Sequence, residues 1–377
     1  MSGWGRAVNK PSVAILGLGK EGRAVLKFLK QNHPNIKPVI LDRKRDPDYL
    51  SYLKEFDIIY RSPGVWLNLP EIKQAKKAGV KFSSVTNLFF EKSKGRIIGV
   101  TGTKGKGTTS TLIYRIFKNA GFDAYLGGNI GNAAINILPQ LKKNSITVLE
   151  LSSFQLQDLQ FSPNIAVVLD IFPDHLDIHQ SFIEYWKAKG NIAAHQKRGD
   201  AVFYSSDNKY SKLIALKSRG KKFAVSPRNP SFELRLPGFH NLKNAAMAAA
   251  VTSCLGVPIP IIQETIKKFR GLPYRLQLVK ERDGTRWYND SASTNPHTTA
   301  AAIKAFPNKP KILIMGGKDK NLDYKPVKSV LLQEKVELVI LYGENKAKIK
   351  KAFGERLSMR FAKSLGGAVK LASQAAL

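Results

Sequence analysis

Cysteine is nearly absent: Cys254 is the single sulfhydryl among 377 residues. An internal disulfide is therefore excluded, and core packing in a reducing compartment is the role expected of it. Long apolar runs are also missing, with none approaching the ~20 residues of a membrane span. The start Met1-Ser-Gly-Trp-Gly-Arg6 lacks the apolar core of a signal peptide. There are no heptads, low-complexity tracts or short-period repeats, and no H-E-x-x-H, which argues against a zinc protease. Acidic residues are scarce, 28 against 61 Lys+Arg, for a net charge of +33. The excess is spread rather than gathered in a tail: 17 basic against 8 acidic residues in 1–93, 28 against 14 in 94–300, and 16 against 6 in 301–377. A soluble, cytoplasmic, monomeric protein is expected, without membrane or nucleic-acid partners and with a surface suited to anionic small molecules.

What is present centres on Arg96-Ile-Ile-Gly-Val-Thr-Gly-Thr-Lys-Gly-Lys-Gly-Thr-Thr-Ser110. Ile97, Ile98 and Val100 read as a buried strand. Gly99, Gly102, Gly105 and Gly107 open the backbone, and Leu112, Ile113, Ile116 and Phe117 follow at helical spacing. A strand, a glycine loop and a helix start present N–H groups and a positive dipole end to a polyphosphate, with Lys106 neutralising the outer phosphates. The strict G-x-x-x-x-G-K-[ST] pattern is missed twice: Val100 replaces its first glycine, and Gly107 replaces the magnesium-binding hydroxyl. Thr108 or Thr109 would have to supply that hydroxyl.

Upstream, Val13 to Leu16 is a strand, Gly17-Leu-Gly-Lys-Glu-Gly22 turns into a helix, and a second strand ends at Asp42. Gly17, Gly19 and Gly22 with an acid twenty residues past the last glycine match the dinucleotide fingerprint, which serves any nucleotide diphosphate on a Rossmann-like turn. Downstream, Gly127 to Gly131 is a turn carrying Asn129. Thr147-Val-Leu-Glu-Leu151 buries Glu150, costly unless that carboxylate is paired or binds metal. Ile165 to Leu169 delivers Asp170, Asp174, His175, Asp177 and His179 to a strand's carboxyl end. Tyr185 to Ile192 reads as a helix bearing Lys187 and Lys189, either of which could lie on a solvated face. Asn241 and Asn244 enter an alanine-rich helix, where capping is the plain explanation. The strand–turn–helix rhythm restarts after Arg275, and the expected organisation is three α/β domains at 1–93, 94–271 and 272–377.

In this order the motifs resemble the Mur ligases, from about Val13 to Tyr342; Leu149 to Leu156 looks most like the branch that adds D-glutamate. The resemblance implies a Rossmann-like N-terminal domain that binds the UDP-substrate. It also implies a central P-loop domain with a mostly parallel sheet, and a Rossmann-like C-terminal domain that contacts the amino acid and ATP. It implies an ATP-dependent amide ligase joining D-glutamate to UDP-N-acetylmuramoyl-L-alanine through an acyl phosphate. Gly102, Thr103, Lys104, Gly105, Lys106, Gly107 and Thr108 would cradle ATP, with Asn244, Arg275 and Asp290 around its adenine, phosphates and ribose. Lys106, Glu150, His175 and Lys189 would be catalytic. Two Mg2+ ions would be held by Thr108, Glu150, His175 and Lys189, the last as a carbamylated lysine. Gly17, Gly19, Gly22, Asp42, Asn129, Ser152 and Gln155 would meet the UDP-substrate, and Thr294 and Lys320 the D-glutamate, with no NAD bound.

Three departures stand out: Gly107, Ala292 where some members carry lysine, and no Ser-Pro-Ala-x-x-Ser-Phe-Asp segment at the C-terminus. The last suggests an incomplete C-terminal domain and leaves the accepted amino acid open. Alternatives are a folylpolyglutamate synthetase-like ligase of the same superfamily, an NAD-dependent oxidoreductase built on Gly17–Gly22 and Asp42, and a non-catalytic basic binding protein.

Overall fold

The computed structural model describes residues 12–131, 133–176, 178–227, 232–319 and 322–376. Among the described residues, four sheets carry the chain. The first has β1 (Val13–Leu16), β2 (Val39–Leu41), β3 (Ile58–Arg61) and β4 (Lys81–Ser83) in the order β2-β1-β3-β4, all parallel. The second has β5 (Arg96–Thr101), β6 (Ala124–Gly128), β7 (Ile146–Glu150), β8 (Ile165–Val168), β9 (Ala201–Ser205) and β10 (Lys221–Val225). Its order is β10-β9-β8-β5-β7-β6, again all parallel. Further on, β11 (Gln277–Arg282) and β12 (Thr285–Asn289) form an antiparallel hairpin. Three parallel strands follow, β13 (Lys311–Gly317), β14 (Val336–Gly343) and β15 (Met359–Phe361).

The inner strands β5, β7 and β8 of the second sheet are largely apolar runs because helices cover both faces of such a sheet. Ile98, Val100, Val148, Leu149, Ala166, Val167 and Val168 have no exposed surface. The helix Lys106–Asn119 lays Leu112, Ile113, Ile116 and Phe117 on the sheet, all fully buried. Each such side chain contributes about 1.5–3 kcal/mol by leaving water. The chain runs from β5 out to the edge strand β6, returns to β7, and crosses β5 to reach β8. β5 is thus where the strand order reverses, and the crevice beyond its carboxyl end is where ligands of open α/β sheets lie.

The chain divides into two compact units, one of residues 1–233 and 243–267, the other of 234–242 and 268–377. The first holds both large parallel sheets. The second is built around Val327, Val330, Leu331, Val339, Leu341, Ile349 and Phe353. Cys254 ends the helix Phe239–Cys254 and is exposed, so the core role expected of it is not the one it has.

Candidate active site

The glycine loop grows out of the central strand of the second sheet. Gly102 leaves β5 so close to β8 that a Cβ there would sit 2.6 Å from the Leu169 Cβ. Gly105 has φ 84 and is the N-cap of the helix Lys106–Asn119. The space a Cβ would need at Gly105 is filled by the side-chain amide of Asn244. Thr103 pins the loop: its N–H donates to the Asp170 carbonyl at 2.8 Å, and its hydroxyl joins Phe172 and the Tyr185 hydroxyl. Lys106 folds back, its Nζ donating to the Gly102 and Thr103 carbonyls at 3.0 and 3.1 Å. Lys104 points into solvent, and Gly107 and Thr108 are half-buried. Thr109 is wholly enclosed, its hydroxyl turned inward without a partner, so of the two candidate hydroxyls only that of Thr108 reaches the surface.

The helix Phe182–Ala194 separates the two lysines it carries. Lys187 is exposed, whereas Lys189 is 1 % exposed and aimed at the loop. The Lys189 Nζ donates to the Gly102 carbonyl at 3.0 Å and rests over the Tyr185 ring, 4.7 Å from its centroid. Burial drives the Lys189 pKa well below the lysine range, and the charge of Lys106 pushes the same way against Asp174 and Glu150.

Glu150 ends β7, the strand beside β5, and is buried there. Its Oε1 accepts the Asn129 side-chain N–H at 2.9 Å, while the Asn129 backbone N–H donates to the Glu150 carbonyl. Asn129, expected from the sequence to meet the substrate, thus holds the carboxylate.

His175 is exposed at φ 54, its ring edge-on to Phe154 at 5.2 Å. His179 is buried, stacked on Phe154 and 3.0 Å from the Ser153 hydroxyl; burial lowers its pKa, with Glu184 opposing. Asp177 lies outside the described residues. Among those described, no three His, Cys, Asp or Glu side chains form a ready-made metal cluster. The donors at hand are a buried carboxylate, a threonine hydroxyl and an imidazole, a mostly oxygen set of the kind magnesium takes with water and phosphate. Lys189 as an ammonium could not join it, but as a carbamate it could.

In the first sheet, Gly17 has φ 85 and Gly22 packs directly on the Gly17 carbonyl, which explains both glycines. Gly19 caps the helix Lys20–Asn32. Asp42 bridges two turns: its carboxylate accepts the Leu18 N–H of the glycine turn at 2.6 Å and the Lys44 N–H of its own turn at 2.9 Å. The first of these bonds leads in holding its pKa below the usual carboxylate range. Ser152 and Gln155 form a reciprocal capping box on the short helix after β7. The free amide end of Gln155 donates to Glu21 Oε1 at 2.5 Å, which brings the turn at Gly17–Gly22 and the segment after Glu150 together.

Arg275, Asp290 and Thr294 belong to the second unit. Asp290 organises the turn there, accepting from the Leu276 N–H at 2.9 Å and from the Ser293 hydroxyl. Arg275 donates its backbone N–H to the Leu272 carbonyl, and Thr294 donates its own to the Ala292 carbonyl. Lys320 lies outside the described residues.

Sequence reasoning passed over Glu21, Arg61, Asp158, Tyr185 and Lys243. Arg61 is 2 % exposed, the largest buried side chain among the described residues, with Nε and Nη2 each 2.9 Å from Asp158 Oδ2. It ties β3 of the first sheet to the segment after β7. No motif assigns a role to any of these residues; the partners that engage them lie 36 to 134 positions away, and nothing local announces them.

Residues 100–226 match the family model described as Mur ligase middle domain, and 274–377 match Mur ligase, glutamate ligase domain. A UDP-N-acetylmuramoylalanine–D-glutamate ligase of Symbiobacterium thermophilum is 36% identical over 358 residues, 87% of this chain and 78% of that protein. One of Acetivibrio thermocellus is 33% identical over 420 residues, covering 97% and 89%. The fold is similar to the crystal structure of UDP-N-acetylmuramate-alanine ligase from Thermotoga maritima, with TM-score 0.62 at 19% identity over 96% of this chain and 93% of that one.

Proposed function

The chain belongs to the Mur ligase family, and from that premise we propose that it joins D-glutamate to UDP-N-acetylmuramoyl-L-alanine at the expense of ATP, in peptidoglycan precursor synthesis. The observation that carries this reading is the convergence of Lys106 and Lys189 on the Gly102 carbonyl, 3.0 Å each, beside the strand that ends in buried Glu150. One ammonium, a second lysine held out of water and a buried carboxylate at one phosphate loop suit phosphoryl transfer between two anions. The alanine carboxylate attacks the γ-phosphorus, the bond to the bridging oxygen breaks, and ADP leaves. The amine of D-glutamate then attacks the acyl carbon and phosphate departs.

Gly102 to Thr108 hold the phosphates, Lys106 stabilises the moving phosphoryl, and Asn244, packed on Gly105, meets the nucleotide. Arg275 and Asp290 are assigned to ATP, and Thr294 and Lys320 to D-glutamate. The turn at Gly17, Gly19 and Gly22, with Asp42, Asn129, Ser152 and Gln155, takes the UDP-substrate. Magnesium, when bound, supplies charge neutralisation for the phosphates. Thr108, Glu150, His175 and a carbamylated Lys189 would hold its two ions. An amine taken out of water and facing a second cation favours the neutral form, the form that adds carbon dioxide. A cytoplasmic monomer is the proposed working state.

The NAD reading rests on the turn and Asp42 alone, groups that serve any nucleotide diphosphate equally well. It also leaves Lys106, Glu150 and Lys189 without a task. The deciding experiment is phosphate release from ATP and magnesium with UDP-N-acetylmuramoyl-L-alanine, with and without D-glutamate. Release that requires both substrates is expected. Release supported by a folate acceptor instead, or NAD binding without ATP turnover, would overturn the proposal.

A further inference from the structure

A charge cluster beside the phosphate loop has no part in the chemistry described above. Asp170 follows β8, and its carbonyl is the acceptor that pins Thr103. Its carboxylate Oδ2 takes the Lys243 ammonium at 2.7 Å, while Oδ1 is buried without a hydrogen-bond partner. The same ammonium reaches Asp207 Oδ2, in the turn after β9, at 2.8 Å. Burial alone would lower the pKa of Lys243, but the bonds and charges of the two aspartates hold it above the lysine range.

The next residue in the chain is Asn244, whose amide fills the space against Gly105. A closed circuit results: Thr103 to Asp170 through a backbone bond, Asp170 to Lys243 through an ion pair, Lys243 to Asn244 along the chain, and Asn244 to Gly105 by contact. Both ends of the glycine loop are thereby tied to one ammonium group.

We propose that Lys243 is a positioning residue for the nucleotide: its two ion pairs hold Asn244 on the phosphate loop and mask two carboxylates that would otherwise repel the phosphates. The inference rests on the reading of Gly102–Thr108 as the ATP loop. Losing Lys243 frees the helix start that aims Asn244 and leaves Asp170 uncompensated beside a polyanion. Both effects weaken ground-state nucleotide binding, and neither removes a group from the reacting atoms. The signature is a raised KM for ATP with kcat and the KM for the UDP-substrate retained.

The test uses the full chain and steady-state phosphate release, with direct titration of ADP and magnesium as a second readout. Lys243→Met is expected to raise the ATP KM and the ADP Kd by about tenfold, the scale for two partly exposed ion pairs lost together. Added salt should narrow the gap, because it screens the unmasked carboxylates. Lys243→Arg, which can keep both pairs, should lie close to the unmodified chain. Asp207→Asn, at a half-exposed position that folding tolerates, should shift the ATP KM in the same direction by a smaller factor. An unchanged ATP KM in both Lys243→Met and Asp207→Asn would overturn the inference alone. So would a loss confined to kcat, or an equal rise in the KM for the UDP-substrate. Failure of the unmodified chain to bind ADP or ATP would overturn the nucleotide reading and this inference with it.

Discussion

Glu21 shows how much one side chain can carry without being visible in a motif. It sits inside the fingerprint turn as an ordinary variable position, yet the fold packs it under the segment after β7. Gln155 holds its Oε1 at 2.5 Å, and Oε2 is shut away from solvent with no partner. Burial raises its pKa from the ordinary 4.5 to about 7, with Gln155 and Arg61 opposing and Asp158 adding to the rise. The folded state therefore holds this proton more tightly than the unfolded chain does. Its contribution is intact below pH 4.5 and is lost as pH rises towards 7, above which it levels off. At roughly 1.4 kcal/mol per unit the loss amounts to about 3 kcal/mol. Glu21→Gln keeps the bond to Gln155 and cannot ionise. Urea unfolding should find it close to the unmodified chain near pH 4.5 and about 3 kcal/mol more stable near pH 8. A difference that does not change with pH would show that the carboxyl ionises freely in the folded protein.

The phosphate loop is the element the sequence announces best. Glycine spacing and the apolar periods on either side locate β5, the loop and the helix Lys106–Asn119. What stays hidden is tertiary. Two lysines in one short segment read alike, and only the packing of Phe182–Ala194 separates exposed Lys187 from enclosed Lys189. Likewise Asn244 looks like a helix cap, but the helix begins at Phe239 and its amide instead fills the space at Gly105. Gly105→Ala tests that element. The added methyl meets the Asn244 amide and must adopt φ 84, a conformation costing about 1–3 kcal/mol for most residues. The ATP KM should rise by more than about tenfold, since either the loop or Asn244 must give way. Binding of the UDP-substrate, followed by titration without ATP, should be unaffected. Normal ATP kinetics would mean that loop and amide part at little cost.

At the scale of the whole chain, the alternation of strand and helix made the α/β class legible, because buried parallel strands must be apolar throughout and their crossovers amphipathic. The ties that join one sheet to another were not legible. Arg61 reads as one more basic residue among 61, and its partner Asp158 lies 97 positions on. The net charge of +33 is the one bulk property with a consequence for function. ATP, the UDP-substrate and D-glutamate are all anions, so a positive surface raises their encounter rate with the site. That gain belongs to free charges in solvent and fades as the Debye length shrinks from about 30 Å at 0.01 M salt to about 8 Å at 0.15 M. Contacts enclosed in the loop, such as those of Lys189, are screened much less. Across that range kcat/KM for the UDP-substrate should fall several-fold while kcat stays nearly level, as initial rates at fixed magnesium would record. A kcat/KM indifferent to salt would place the excess charge away from the approach to the site. A parallel fall in kcat would mean instead that the charge acts on the bound complex.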